Sequence, residues 1–308
     1  MAYFTQSTIA DINALLTIIA DQLFTAGWTE DAASLTGATP SIDYSSGPCF
    51  IKLSYNTVSG DGQLTLETAL SFGSTTKKSV VVNALEGAYD AVHIFVTADY
   101  CHVVVQKTGG LHIHFSFGVH NKGTLTTDDT MYATGNFINK TTKNKLYANS
   151  MSLAHINNRA LIIPSGVLNT AYAPSGDIAT DVILESINLE RLSYNSRNFP
   201  YVPTGVSKSY RMLDFFPRVG NSSYVAGNVV WQLPAVAYLS SNYHMLGASP
   251  DVRIVDVSTF ASGDEFTNGN VTFKVFPIIR QGISSNLLDG TSPINDWNSL
   301  NLGLAYIK

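Results

Sequence analysis

Charge is scarce in this chain: Asp, Glu, Lys and Arg make up 13% of its 308 residues, about half the share of roughly 25% usual in soluble domains. A free monomer keeps more charge on its surface for solubility, so a chain this poor in it is expected to cover much of that surface with neighbours. Basic clusters are scarcer still. The net charge is −5 and the longest Lys/Arg run is Lys77-Lys78, which excludes the electrostatic footprint of a nucleic-acid reader. Cys49 and Cys101 are the two cysteines, too few for a disulfide framework. Both sit beside apolar strand-like residues and read as buried free thiols in a reducing compartment. No stretch approaches the ~18 apolar residues of a membrane span, and the N-terminal MAYFTQSTIAD lacks the basic flank and apolar run of a signal peptide. The expectation is a protein made in a cytoplasm, with no nucleic acid and no membrane among its partners. Catalytic fingerprints are missing as well: there is no GxSxG, HExxH, Walker A or dinucleotide glycine pattern. The nearest paired carboxylates, Asp264-Glu265 and Glu86 with Asp90, lie in turn-like contexts where acids are common. No catalytic residue is assigned, and the chain reads as a non-enzyme without a cofactor.

What the sequence does contain is periodicity. Ser7 to Ala26 carries the strongest helical pattern, with Ile9, Ile12, Leu16, Ile19 and Leu23 at spacings of three and four and Leu15 and Ile18 widening the stripe. Thr8 with Asp11 resembles a capping box, and Gly27 is placed to end the helix. Without strong flanking charge pairs, the stripe predicts a helix packed on a sheet rather than an intersubunit coiled coil. From Gly47 the period changes to two. CFIKLSY, GQLTLETALSF, KSVVVNAL, DAVHIFVTA and TMYATGNFIN each read as a strand bounded by turn residues, and short strands at this density predict an antiparallel sheet or sandwich. Turns this short suit meander connections, with Ala98-Asp99 joining the strand of His93 to that of His102.

The stretch from Tyr100 to Gly123, YCHVVVQKTGGLHIHFSFGVHNKG, reads as a β-hairpin turning at Thr108-Gly109-Gly110. It holds His102, His112, His114 and His120, four of the seven histidines, with His93 just upstream. A three-residue loop puts His102, His112 and His114 on one face; a two-residue loop puts His102 on the other. Imidazoles gathered on one face could hold zinc or another borderline metal, which makes His102, His112 and His114 the candidate ligands. No carboxylate or cysteine stands at a diagnostic spacing beside them. The simpler reading, preferred here, is that these histidines hydrogen-bond across strands or subunits and that no metal is bound.

Residues 141–232 differ in texture. TTKNK, NTAYAPSGD, RLSYNSRNFPYVPTG and RVGNSSYVAGN are rich in Ser, Asn, Tyr, Pro and Gly, with short apolar runs at Ala160 to Ile163 and Val182 to Ile187, and predict long loops or a small inserted β subdomain. Strand character returns in VAYLSS, VRIVDVSTF, VTFKVFPIIR and LGLAYIK, with SGDEFTNGN as turn residues between two of them and Pro277 at an edge or bulge. The expected fold is mainly β: an antiparallel β-sandwich scaffold with one N-terminal amphipathic helix and a loop-rich inserted β segment. Residues 1–140 form the helix and scaffold, 141–232 the insertion, and 233–308 strands that complete the first-half sheet.

Several motifs carry a resemblance. LHIHFSFGVHNKG followed by ATGNFIN, then LGASPDVRIVDVSTFASGDEFTNGNVTFKVFPIIRQG closed by LNLGLAYIK, resemble in order a pattern in structural proteins of tailed-bacteriophage virions. There a His-aromatic strand, Phe-Gly, a Lys-Gly turn and a Gly-containing strand are followed by Leu-Gly-x-x-Pro-x-Val-Arg, a Gly-Asp-Glu turn, a strand ending in Phe-Pro and a last Gly-Leu-Ala strand. The helix ending in Gly27-Trp28-Thr29 is similar too. The resemblance spans roughly the first 140 and last 75 residues; the middle lacks the Trp-Arg-Pro-Asn segment such proteins often carry. It implies a tail, neck or baseplate component of a virion, made in the host cytoplasm. Its partners would be copies of itself and other virion proteins. A second reading is a β-sandwich binding module that contacts a host-surface glycan or receptor through the 165–232 loops.

Overall fold

The computed structural model describes residues 1–47, 49–58, 60–69, 78–82, 85–108, 110–119, 121–122, 131–134, 182–185, 208–210, 230–239, 242–257, 259–279 and 302–308. His120, Lys77 and nearly all of the 141–232 segment, including its four loop-like runs, lie outside them. In chain order the elements are β1 (Ala2–Ile9), α1 (Ile12–Thr25), β2 (Thr29–Ser34), β3 (Ser41–Ser46), β4 (Cys49–Val58), β5 (Asp61–Ala69), β6 (Lys78–Val82), β7 (Tyr89–Val96), β8 (Tyr100–Lys107) and β9 (Leu111–Val119). They continue with β10 (Asn121–Lys122), β11 (Met131–Thr134), β12 (Val182–Glu185), β13 (Lys208–Tyr210), β14 (Val230–Leu239), β15 (Asn242–Asp256), β16 (Glu265–Asn268), β17 (Val271–Ile279) and β18 (Leu302–Ile307). The protein is mainly β with antiparallel pairing and, among the described residues, one helix.

The described residues form three sheets. An N-terminal sheet runs β2-β3-β4-β5-β6 as a meander, a central sheet has the order β1-β7-β8-β9-β11-β12, and a C-terminal sheet runs β13-β14-β15-β18-β17-β16 with β10 also paired to β15. Successive residues of a strand point to opposite faces, and in the central sheet β7, β8 and β9 bury both. On one face Val92, Ile94, Val103, Val105, Ile113 and Phe115 join a single apolar cluster with Leu15, Leu16, Ile19 and Leu23 of α1 and with Ile42, Ile51, Leu53 and Leu66 of the N-terminal sheet. Cys49 and Cys101 are fully buried in this cluster, and burial pushes the Cys101 thiol well above its ordinary range. The other face meets the C-terminal sheet. A separate small cluster, including Val255, Phe266, Phe273, Val275 and Ala305, lies on the far side of β17 and β18.

Several expectations need correction. The chain does not enter a helix at Ser7: Ala2–Ile9 is a strand paired along β7, from Ala2 opposite Val96 to Ile9 opposite Tyr89. Thr8, with φ of 58°, lies outside the helix. Asp11 is itself the N-cap, its Oδ1 accepting from the Ala14 amide at 2.9 Å, as a short polar side chain at that position does. From Ile12 to Leu23 the apolar stripe, and the end of the helix, are as the sequence predicts, whereas Ile9 belongs to β1; the helix packs on sheets. Gly27, at φ of 93°, lets its own amide reach the Phe24 carbonyl while the Trp28 amide reaches that of Leu23, each at 3.0 Å; this is the Schellman termination that favours glycine. Trp28 is then buried, with its Nε1 donating to the Thr97 carbonyl at 2.7 Å. Strands β2 and β3 precede the expected strand region, and Glu265–Asn268, expected as turn, is a strand paired to β17. The final strand does not complete the first-half sheet. It lies between β15 and β17 in the C-terminal sheet, and among the described residues the ladder joining the two halves is the short β10–β15 pairing. Pro277 does mark a bulge, since the β17–β18 register shifts between Pro277 and Ile279.

Candidate functional site

The hairpin predicted from Tyr100 to Gly123 is the β8–β9 pair, and its register decides where the histidines go. Lys107 pairs with Leu111, Gln106 with His112, Val104 with His114 and His102 with Ser116. Three residues separate the Lys107–Leu111 pair, the longer of the two spacings, and Gly110 takes φ of 84°, the left-handed position such turns need. His102, His112 and His114 consequently share a face. Across the Ala98-Asp99 turn, His93 pairs with Val104 and joins them. These four side chains are 9% exposed or less, as is Ser116 between them.

Aromatic rings from the C-terminal sheet cover this face. Phe276 lies 4.5 Å from His93 and 6.2 Å from His112, centroid to centroid. Tyr306 stacks on Phe95 at 4.8 Å, meets His102 at 5.5 Å and lies nearly parallel to His114 at 6.1 Å. Hydrogen bonds fix the imidazoles. His114 Nε2 is 3.3 Å from the Pro277 carbonyl, which can only accept, so Nε2 carries the proton. Nδ1 of the neutral ring is then an acceptor, and the Tyr306 hydroxyl donates to it at 2.9 Å. His112 Nε2 pairs with Ser262 Oγ at 2.7 Å, and His93 Nδ1 lies 3.0 Å from both the Tyr3 and Thr5 hydroxyls.

Removal from water disfavours imidazolium. Burial, with lesser contributions from Lys274 and His112, lowers His93 to about 4. Burial and His112 lower His114 to about 3, against a small opposing pull from the Pro277 carbonyl. At neutral pH both rings are neutral hydrogen-bonding groups. Tyr306 is pushed the other way by burial and keeps its phenolic proton. Among the described residues no group of His, Cys, Asp and Glu is arranged to hold a metal ion. His93 Nδ1, His112 Nε2 and both nitrogens of His114 are turned to hydroxyls and a carbonyl.

The carboxylates named from sequence do not converge. Asp264 Oδ2 accepts from the Ala261 amide at 2.6 Å, and Glu265 binds Lys274 at 3.1 Å and Lys308 at 3.0 Å, which lowers its pKa. Glu86 accepts from the Gly62 amide at 3.1 Å and Asp90 from the Thr108 hydroxyl at 3.0 Å. Each fastens a turn or a strand end. Sequence reasoning missed Tyr306 and Phe276, although the alternation of β17 and β18 could have shown that their side chains share a face with Lys274 and Leu304. It also missed Tyr100, whose hydroxyl donates to Asp251 Oδ2 across to the C-terminal sheet. Burial first, then this hydrogen bond to a carboxylate, pushes the Tyr100 hydroxyl well up.

Two glycines of the motifs named from sequence have packing reasons. Gly118, at φ of 141°, lies opposite Tyr100, where a Cβ would strike the Asp99 carbonyl and Tyr100 itself. A Cβ on Gly303 would strike Val257 and the Phe276 backbone. No protein-family model and no curated protein matches the chain. The site is a buried layer of imidazole and aromatic rings that joins two sheets.

Proposed function

We propose that the chain is a non-enzymatic structural protein of a tailed-bacteriophage virion, a β-sandwich scaffold that assembles as a symmetric multimer in the tail, neck or baseplate. The observation that carries this reading is the poverty of charge, 13% over 308 residues, which suits a surface shared with neighbours better than one facing water alone. The local chemistry supports it. Gly118 and Gly303 are required by close backbone approach, and Pro277 sits at a bulge, so the motifs behind the resemblance act as scaffold positions. The acids named from sequence serve as tethers. Phe24, 70% exposed on α1, offers an apolar contact for a neighbouring subunit. In such an assembly identical subunits bury matching surfaces around an axis.

Size-exclusion chromatography with light scattering on the purified full chain, joined to mass spectrometry of purified particles, tests the reading. A closed multimer, together with peptides of this chain in the particle, is the expected result. A stable monomer that retains a host-surface glycan through residues 165–232 would replace it with the receptor-binding alternative.

A further inference from the structure

Imidazole is distributed unevenly between the two faces of the central sheet. Toward the C-terminal sheet, β7, β8 and β9 present His93, His102, His112 and His114, which are 9%, 0%, 7% and 0% exposed. On the opposite face the same strands present Val92, Ile94, Val103, Val105, Ile113 and Phe115, which no pH alters. Titration of imidazole therefore acts on one face and spares the other.

The groups around the layer set the direction of the response. Tyr306, Phe276, Ser262 and the Pro277 carbonyl face it from the C-terminal side, and Tyr3, Thr5 and Tyr100 border it within the central sheet. Lys274 is the cation that acts on His93, and Lys308 lies with it over the Tyr3 ring. The bordering carboxylates are already held: Glu265 binds both lysines, and Asp251, which also acts on Arg253, takes the Tyr100 hydroxyl. A proton added to His114 Nδ1 turns the acceptor of the Tyr306 hydroxyl into a donor. A proton added to His93 places a second positive charge beside Lys274. Charging neighbouring rings also sets them against one another, because His112 acts on both His93 and His114.

We propose that this layer is an acid-operated latch: on acidification the imidazoles gain charge, and β17 and β18 leave the face of β7, β8 and β9 while the helix side of the central sheet stays packed. The proposal is independent of the assembly reading, since every group it uses lies within one chain. Acid would expose the face bearing Phe95, Phe276 and Tyr306 and leave the α1 core closed.

Hydrogen–deuterium exchange of the full-length chain tests it, comparing about pH 7.5 with about pH 4.5 after correction for intrinsic exchange, the interval in which ordinary imidazole gains its proton. Peptides covering 271–279 and 302–307 should lose protection at least about tenfold in acid, while those covering 12–25 and 41–46 keep theirs. The double variant His93→Gln, His114→Gln should move the midpoint of this loss down by about half a pH unit or more, because fewer buried rings remain to take protons. Glu265→Gln, which keeps all four imidazoles, should still show the acid loss confined to 271–279 and 302–307. Should the double variant not fold, the regional pattern in the unaltered chain decides alone. Simultaneous loss of protection in all four regions, no loss at the acid pH, or loss that vanishes in Glu265→Gln would each overturn the proposal.

Discussion

Replacing Tyr306 by Phe removes one oxygen atom from a fully buried site, and its effect follows from the geometry. The hydroxyl donates to His114 Nδ1 at 2.9 Å, both side chains are 0% exposed, and the Pro277 carbonyl holds the other ring nitrogen at 3.3 Å. The imidazole cannot exchange its tautomer to compensate without losing the Pro277 contact. The substitution therefore strands a buried acceptor, which costs about 1–3 kcal/mol, while the ring keeps its stacking on Phe95 at 4.8 Å. Against a domain stability of about 5–15 kcal/mol this is readily measured. Urea unfolding at neutral pH should show a lower midpoint with an unchanged slope, the mark of lost stability without altered compactness. His114→Leu should cost about 2–4 kcal/mol, since it leaves both the hydroxyl and the Pro277 carbonyl unpaired. In the double variant the two losses should fall short of their sum by about 1 kcal/mol or more, because each single change destroys the same bond. A Tyr306→Phe protein within about 0.3 kcal/mol of the parent, or a strictly additive pair, would refute the assigned tautomer and the hydrogen bond with it.

The same layer makes stability depend on pH with a definite sign. His93 and His114 are lowered from 6.5 to about 4 and about 3, so the unfolded chain binds more protons across that window, and their contribution, full above the unfolded value, is lost as pH falls toward the folded ones. At about pH 5 each ring should cost about 2 kcal/mol relative to neutral pH, checked by urea midpoints across the range. Gly118→Ala should destabilise by about 2 kcal/mol or more, because φ of 141° and the approach of Asp99 and Tyr100 leave no place for a methyl group; thermal unfolding reports it. Trp28→Phe should cost about 1–3 kcal/mol through the lost bond to the Thr97 carbonyl and a partial void beside Leu23, again by urea unfolding. Phe24→Ser should leave the melting temperature within about 2 °C of the parent, since the ring is 70% exposed, and lower the multimer fraction on a sizing column.

The hairpin was legible because its signals are local. Two runs of alternating residues around Thr108-Gly109-Gly110 fix a pairing, and the choice between two- and three-residue loops was the one parity left open. The helix stripe from Ile12 to Leu23 was legible for the same reason. Strand β1 was not: Ala2–Ile9 has little alternation of its own, and its partner β7 lies far along the chain. Its Ile9 also falls in phase with the helix stripe, which drew the expected helix start too far upstream. Strand β16 was hidden because Gly263, Asp264 and Gly269-Asn270 flank a four-residue strand with turn chemistry at both ends. The site itself was half legible. Periodicity places the imidazoles together, but what covers them depends on contacts such as His114 with Tyr306, 192 residues apart, and neither composition nor spacing encodes that encounter.

The position of β18 between β15 and β17 also has a consequence in time. A ribosome supplies about 5–20 residues per second, and β17 emerges before the stretch 280–301 and then Leu302–Ile307 can follow it. Until they do, β15 and β17 have an empty lane between them, and the imidazole face of the central sheet lacks the Tyr306 ring that covers much of it. The β8–β9 hairpin, whose partners are adjacent in sequence, can close long before. The nascent protein thus passes through a stage in which one side of its central sheet is finished and the other is open, with two unpaired strand edges exposed to any neighbouring chain. Holding that gap closed, by a chaperone or by prompt release from the ribosome, is the step on which the yield of folded protein should depend.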